Sequence, residues 1–127
     1  MLLDSNIIIY AVRPTFAGLR ELIAEHAPAV SVVSYVEVLG YHRLTDEDKQ
    51  DFVDFFNTAE ILPISQDVLE KATHLRQQRK MSLGDSIIAA TAVVHNLILV
   101  TANTKDFEWI PNLELLNPIR QSATDTT

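Results

Sequence analysis

Short apolar runs alternate with helical patterns along this chain, and the gaps between them leave room only for tight connections. Leu2-Leu3 runs into Asp4-Ser5-Asn6, and Ile7-Ile8-Ile9-Tyr10-Ala11-Val12 follows. The simplest reading is a buried strand that stops at Asp4, with Asp4 or Ser5 capping a helix that starts near Asn6. Phe16, Leu19, Leu22, Ile23 and Ala27 recur at three- and four-residue steps, which predicts a helix over 15–27 closed by Pro28. Residues 29–33 are β-branched enough for a second strand. Ser34 and Glu37 match a capping box, so a helix is expected through Val38, Leu39 and Tyr41. Thr45 and Asp48 repeat that pattern before Phe52, Val53, Phe55 and Phe56. Residues 60–64 read as a third strand, and Pro63 assigns it to a sheet edge. A helix from Ser65 or Gln66 carries Val68, Leu69, Ala72 and Leu75. Ser82-Leu83-Gly84-Asp85 leads into 86–95, which is apolar on every side and therefore a buried helix. Asn96 can end it in the left-handed conformation. Residues 97–101 are fully apolar, the kind of strand that a parallel sheet covers on both faces. Residues 113–116 are a weaker last strand before Pro118.

Strands alternating with helices over short loops give a parallel sheet of about five strands with helices on both faces, a three-layer α/β/α arrangement of the α/β class. The first strand is expected mid-sheet, with later strands added on either side. Ligands collect outside the carboxyl ends of such strands. One domain over 1–120 and a polar tail over 121–127 account for the 127 residues. No apolar run reaches the length of a membrane span, so a soluble, cytoplasmic protein is expected. The absence of cysteine excludes disulfides, thiolate zinc sites and cysteine nucleophiles. A net charge of −7 argues against a general nucleic-acid binder, which would be basic.

This topology delivers several acids to one edge of the sheet. Asp4 ends the first strand, Glu37 lies in the first turn of the helix after the second, and Asn103 and Asp106 follow the fourth. Asp85 starts the buried helix, and a helix leading into a strand would ordinarily begin at the far edge unless it reaches across. Acids crowded in a cleft repel one another, and an all-oxygen set with no cysteine and no paired histidines suits Mg²⁺ or Mn²⁺. Plainer roles remain open for each residue. Asp4 can be a helix cap, Glu37 a capping-box partner, Asp85 an acid favoured by the helix dipole, and Asp106 a loop-shaping residue.

Leu3-Asp4-Ser5-Asn6, Tyr35 to Gly40, Leu83 to Ala92 and Leu99 to Phe107 resemble, in order and spacing, the four motifs of the PIN-domain ribonucleases. In length and motif order the chain is similar to the VapC-type toxins of bacterial toxin–antitoxin pairs. The resemblance implies a metal-dependent endoribonuclease in which a metal-activated water attacks a phosphodiester in line. It implies Mg²⁺ or Mn²⁺ held by Asp4, Glu37 and Asp85, and it brings the start of the buried helix to the cleft. It also implies an RNA substrate, a cognate antitoxin and a homodimer. Where many members carry a fourth aspartate this chain has Asn103, expected to orient the site rather than charge it. Asp106 is the fallback. Setting the three acids aside leaves fourteen against ten basic residues, so the acidic balance outside the site is milder. Arg13, Lys71, Arg76, Arg79, Lys80 and Lys105 are rim candidates for RNA phosphates. A catalytically inactive interaction module of the same fold is the alternative, favoured by the missing charge at Asn103.

Overall fold

Consecutive side chains on an extended backbone point to opposite faces, and this sorts the apolar residues into two layers. The computed structural model describes residues 1–13 and 16–119. Within them β1 (Leu2–Leu3), β2 (Ala29–Ser31), β3 (Glu60–Leu62), β4 (Leu99–Val100) and β5 (Leu115–Leu116) form one parallel sheet, in the order β3-β2-β1-β4-β5. β1 is central and β3 is an edge, as the sequence implied. The register sets Leu2 beside Ala29 and Leu99, and Leu3 beside Val30 and Val100.

Helices α1 (Ser5–Ala11), α2 (Ala17–Glu25), α3 (Val32–Leu39), α4 (Asp46–Thr58), α5 (Gln66–Gln78) and α6 (Leu83–Val94) cover the two faces. Leu3, Val30 and Val100 pack with Ile7, Ile8, Leu19, Ile23, Val38, Phe52 and Phe56 from α1 to α4. Leu2, Ala29 and Leu99 pack with Val68, Ala72, Leu75, Ile88 and Ala89 from α5 and α6, and with Phe107 and Ile110 beyond β4. This is the expected three-layer arrangement. Phe52 and Phe56 are buried and Phe55 packs edge-on against Phe56, so the aromatic cluster of α4 is core. No helix among the described residues is long and apolar enough to cross a membrane.

Side-chain caps fix the starts of α4 and α5 where the sequence put them, and that of α6 at Leu83 rather than at Asp85. Thr45 accepts from the Asp48 N–H at 3.1 Å, Ser65 from Val68 at 3.2 Å and Ser82 from Asp85 at 3.1 Å. Two more starts differ. α1 begins at Ser5 rather than Asn6, because the Asp4 carboxylate accepts the Ser5 N–H at 2.8 Å. α3 begins at Val32 rather than after Ser34. Ser31 ends β2, and its hydroxyl takes the Val33 N–H at 3.1 Å, which leaves Ser34 buried inside the helix. The strands expected over 29–33, 60–64, 97–101 and 113–116 are shorter than drawn. The helix expected over 15–27 is observed as Ala17–Glu25, with residues 14 and 15 outside the described residues. The tail over 121–127 also lies outside them.

The 12-residue α6 has every residue from Ser86 to Ala92 buried. It ends at Val94, and the chain turns through Asn96 at φ 54° into β4. Its last turn therefore lies at the amino edge of the sheet. A rise of about 1.5 Å per residue carries its start across to the carboxyl edge.

Leu3 is fully buried, whereas Leu69 on α5 is 48% exposed. Leu3→Ala should lower the unfolding free energy by about 2–5 kcal/mol, and Leu69→Ala should change it by no more than about 0.5 kcal/mol. Urea unfolding of the two variants checks the contrast. Equal losses would contradict the placement of β1 at the centre of the core.

Candidate metal centre

Asp4 leaves the carboxyl end of the central strand with its N–H bonded to the Val100 carbonyl at 2.9 Å. Its side chain turns into the protein, only 5% exposed, and both carboxylate oxygens accept hydrogen bonds. Oδ1 takes the Ser5 N–H at 2.8 Å, and Oδ2 takes the Thr101 hydroxyl at 2.8 Å. Thr101 is fully buried, and its Oγ1 accepts the Asn103 N–H at 3.0 Å. One aspartate thus caps α1 and is tied to the strand beside it. Burial raises its carboxyl above the ordinary value, the Thr101 and Ser5 hydrogen bonds oppose this, and the charges of Glu37 and Asp106 push it further up.

Glu37 projects from α3, and its Oε1 accepts the Ser5 hydroxyl at 2.8 Å. The same Ser5 Oγ stands 3.0 Å from the hydroxyl of Ser34. Because Ser31 caps α3, Glu37 is not a capping-box partner, and its carboxylate faces α1 and α6 instead. Asp85 lies in the first turn of α6, part-buried, and its carboxyl is also raised. Burial is the main cause and the charge of Asp4 adds to it; a hydrogen bond from Ser82 opposes, and Asp106 contributes a smaller rise. The start of α6 therefore does reach the carboxyl edge.

Asn103 precedes a 3-10 turn over Thr104–Asp106 and is exposed. Its contact with the site runs through its backbone N–H to Thr101. Asp106, in the same turn, supplies charge felt by both Asp4 and Asp85. Trp109 Nε1 donates to the Asp106 carbonyl at 3.1 Å, and the Arg79 guanidinium lies over the Trp109 ring at 5.1 Å. Arg76 is spent on the Met81 carbonyl at 3.3 Å.

Sequence reading did not assign three contributors to the site: Ser5, which holds Glu37; Thr101, which holds Asp4; and Gly84, which Glu37 packs against. Polar residues directly after the first and fourth strands were the available signal for the first two. Among the described residues no cation offsets the raised carboxyls of Asp4 and Asp85. Among the described residues no three His, Asp or Glu side chains close around one point, so the carboxylates form an open set. An apolar cavity of about 800 Å³, lined by Val12, Ile23, Pro28 and Phe55 among others, contains none of the four acids. Pro28 directly precedes β2, which sets that cavity at the amino edge, away from the cluster.

The sequence profile of the PIN domain matches residues 1–112. Ribonuclease VapC of Rickettsia bellii is 29% identical over 126 residues, spanning 91% of this chain and 94% of the relative. Ribonuclease VapC10 of Mycobacterium tuberculosis is 29% identical, spanning 93% and 91%. Among solved structures, a toxin–antitoxin complex from Klebsiella pneumoniae has a chain 34% identical at TM-score 0.74, covering 92% of this chain and 96% of its own. VapBC2 from Rickettsia felis, bound to a DNA fragment from its promoter, contributes a chain 30% identical at TM-score 0.75, covering 91% and 96%.

The raised carboxyls make a pH prediction. An acid whose folded pKa is raised binds its proton in the native state where the unfolded chain has already lost it, so stability falls as pH rises through that window. Asp85→Asn removes one such group without removing an accepted backbone bond. In EDTA, the melting temperature of Asp85→Asn relative to wild type should climb as pH rises from about 4 and then level off. A difference that stays flat with pH would contradict the crowding of these acids. Asp4→Asn gains less, because an amide cannot accept on both sides as the carboxylate does.

Proposed function

The chain belongs to the PIN-domain family, and we propose that it is an endoribonuclease dependent on Mg²⁺ or Mn²⁺, the toxin of a bacterial toxin–antitoxin pair. Two kinds of finding support this reading. The relatives named as ribonucleases align over nine-tenths of the chain, and the matching solved structures include a toxin–antitoxin complex from Klebsiella pneumoniae and VapBC2 from Rickettsia felis. The observation that carries it is the carboxylate set at the carboxyl edge of the sheet, in which Asp4 and Asp85 are raised in pKa and meet no cationic partner among the described residues.

The donor set fits the ion. Every candidate ligand is an oxygen, and an open arrangement suits Mg²⁺, which is commonly held by one or two carboxylates with substrate phosphates and water completing its shell. When bound, the ion supplies activation of water and neutralisation of charge at the scissile phosphate. Asp4 and Asp85 would be principal ligands and Glu37 the third. Thr101 fixes the Asp4 carboxylate through Oδ2, and Ser5 holds Glu37 by its hydroxyl and Asp4 by its N–H. Asn103 braces Thr101 through its backbone, with its amide at the rim to orient the substrate side. Asp106 would add the fourth negative charge that Asn103 does not carry.

RNA is the substrate of this reading, a cognate antitoxin its protein partner, a second copy of the chain the other, and the cytoplasm its setting. Exposed Tyr35 and Val36 on α3 and Leu83 on α6 leave apolar surface beside the acids, which supports a protein partner on that face.

Purified protein free of partners should cleave RNA in Mg²⁺ or Mn²⁺ and lose that activity in excess EDTA. Asp85→Asn should retain the fold by circular dichroism and lose more than about a hundredfold in rate, beyond what residues that merely support ligands cost. No cleavage by wild type in either ion would leave an interaction module in place of an enzyme. Full cleavage in chelator would remove the metal.

The fourth position is decided separately. Asp106→Asn should weaken Mn²⁺ binding by calorimetric titration, whereas Asn103→Ala should leave the affinity close to wild type while lowering the cleavage rate. The reverse pattern would make Asn103 the ligand.

A further inference from the structure

Residue 84 is a glycine in the first turn of α6, where alanine would be the better helix former. A Cβ built there would stand 2.9 Å from Glu37 Oε2, 3.3 Å from its Cδ and 3.4 Å from Oε1. The three nearest atoms all belong to one carboxylate. On its other side that carboxylate accepts the Ser5 hydroxyl at 2.8 Å. Glu37 is therefore clamped between a hydroxyl on α1 and a bare stretch of α6, one residue from Asp85.

We propose that Gly84 is a positioning residue: by carrying no side chain, it seats the Glu37 carboxylate against α6 beside Asp85. The proposal rests on the reading of Glu37 as a metal ligand. What the missing Cβ would meet is the free end of a flexible side chain and not backbone. Gly84→Ala therefore displaces Glu37 and spares the helix. The Ser5–Glu37 hydrogen bond is lost, and the acid set loses one of its oxygen donors. A glycine kept only for packing would behave differently, since its replacement would strain α6 itself.

A double-mutant cycle of Gly84→Ala with Glu37→Ala on the whole chain tests this, read by two measurements without RNA. In calorimetric titration with Mn²⁺ alone, Gly84→Ala should weaken binding by about tenfold or more in the native background, the scale of losing a supporting contact. In the Glu37→Ala background it should change nothing. In EDTA, Gly84→Ala should raise the melting temperature more in the Glu37→Ala background than in the native one, because the helix gain is then unopposed. Equal effects in both backgrounds, on affinity or on melting temperature, would overturn the proposal. If wild type takes up no Mn²⁺, the ligand reading of Glu37 fails, and the EDTA arm still decides whether Gly84 seats it.

Discussion

The hydrogen bond between Thr101 and Asp4 joins residues 97 positions apart at the carboxyl edge of the two central strands, and the site depends on it. A carboxylate that is 5% exposed is costly to ionise unless its oxygens are satisfied. Here the Ser5 N–H satisfies one and the Thr101 hydroxyl the other. The same two bonds cap α1 and fix the loop after β4, since Thr101 also receives the Asn103 N–H. Fold and site share one anchor. Without it, Asp4 would either protonate or swing out to solvent, and the other acids would have no fixed centre to gather around.

Around that centre the sheet divides its labour. Leu2 and Leu3 send their side chains to opposite layers, so one two-residue strand ties both cores together. Its carboxyl end is then the place where helices from both layers meet: α1 and α3 from one face, α6 from the other. Glu37 and Asp85 come from these different faces, and the bare backbone at Gly84 leaves room for the Glu37 carboxylate against the start of α6. The chain's acidity is consistent with this arrangement. Part of the −7 charge is concentrated where a cation would offset it, so the remainder of the surface is less hostile to a polyanion than the total implies.

Much of this was legible in the sequence because it follows from local rules. Apolar runs separated by helical periodicity dictate a parallel sheet, and threonine or serine three residues before Asp48 and Val68 marked two helix starts correctly, whereas α6 begins at Leu83, ahead of the start expected at Asp85. Where local rules offered two answers, they failed. Ser31 and Ser34 are both competent caps, and only the end of β2 decides for Ser31. That choice matters, since it releases Glu37 from a capping role. The start of α6 could be assigned to the cleft from family resemblance but not from connectivity, because its position depends on α5 packing beside it. Ser5, Thr101 and Gly84 act through tertiary contacts that no periodicity encodes. Asn103 and Asp106 stood as alternatives in sequence; they differ in space, one joined to the site by its backbone and the other by its charge.

The central claim is that the carboxylates at the carboxyl edge form a cation site centred on Asp4. Anomalous diffraction at the manganese edge from crystals soaked in Mn²⁺ tests it most directly. The account predicts a peak within coordinating distance of the Asp4 and Asp85 carboxylates, with Glu37 turned toward it. Peaks confined to other surface acids at saturating Mn²⁺, with the Asp4–Asp85 cleft empty, would contradict it.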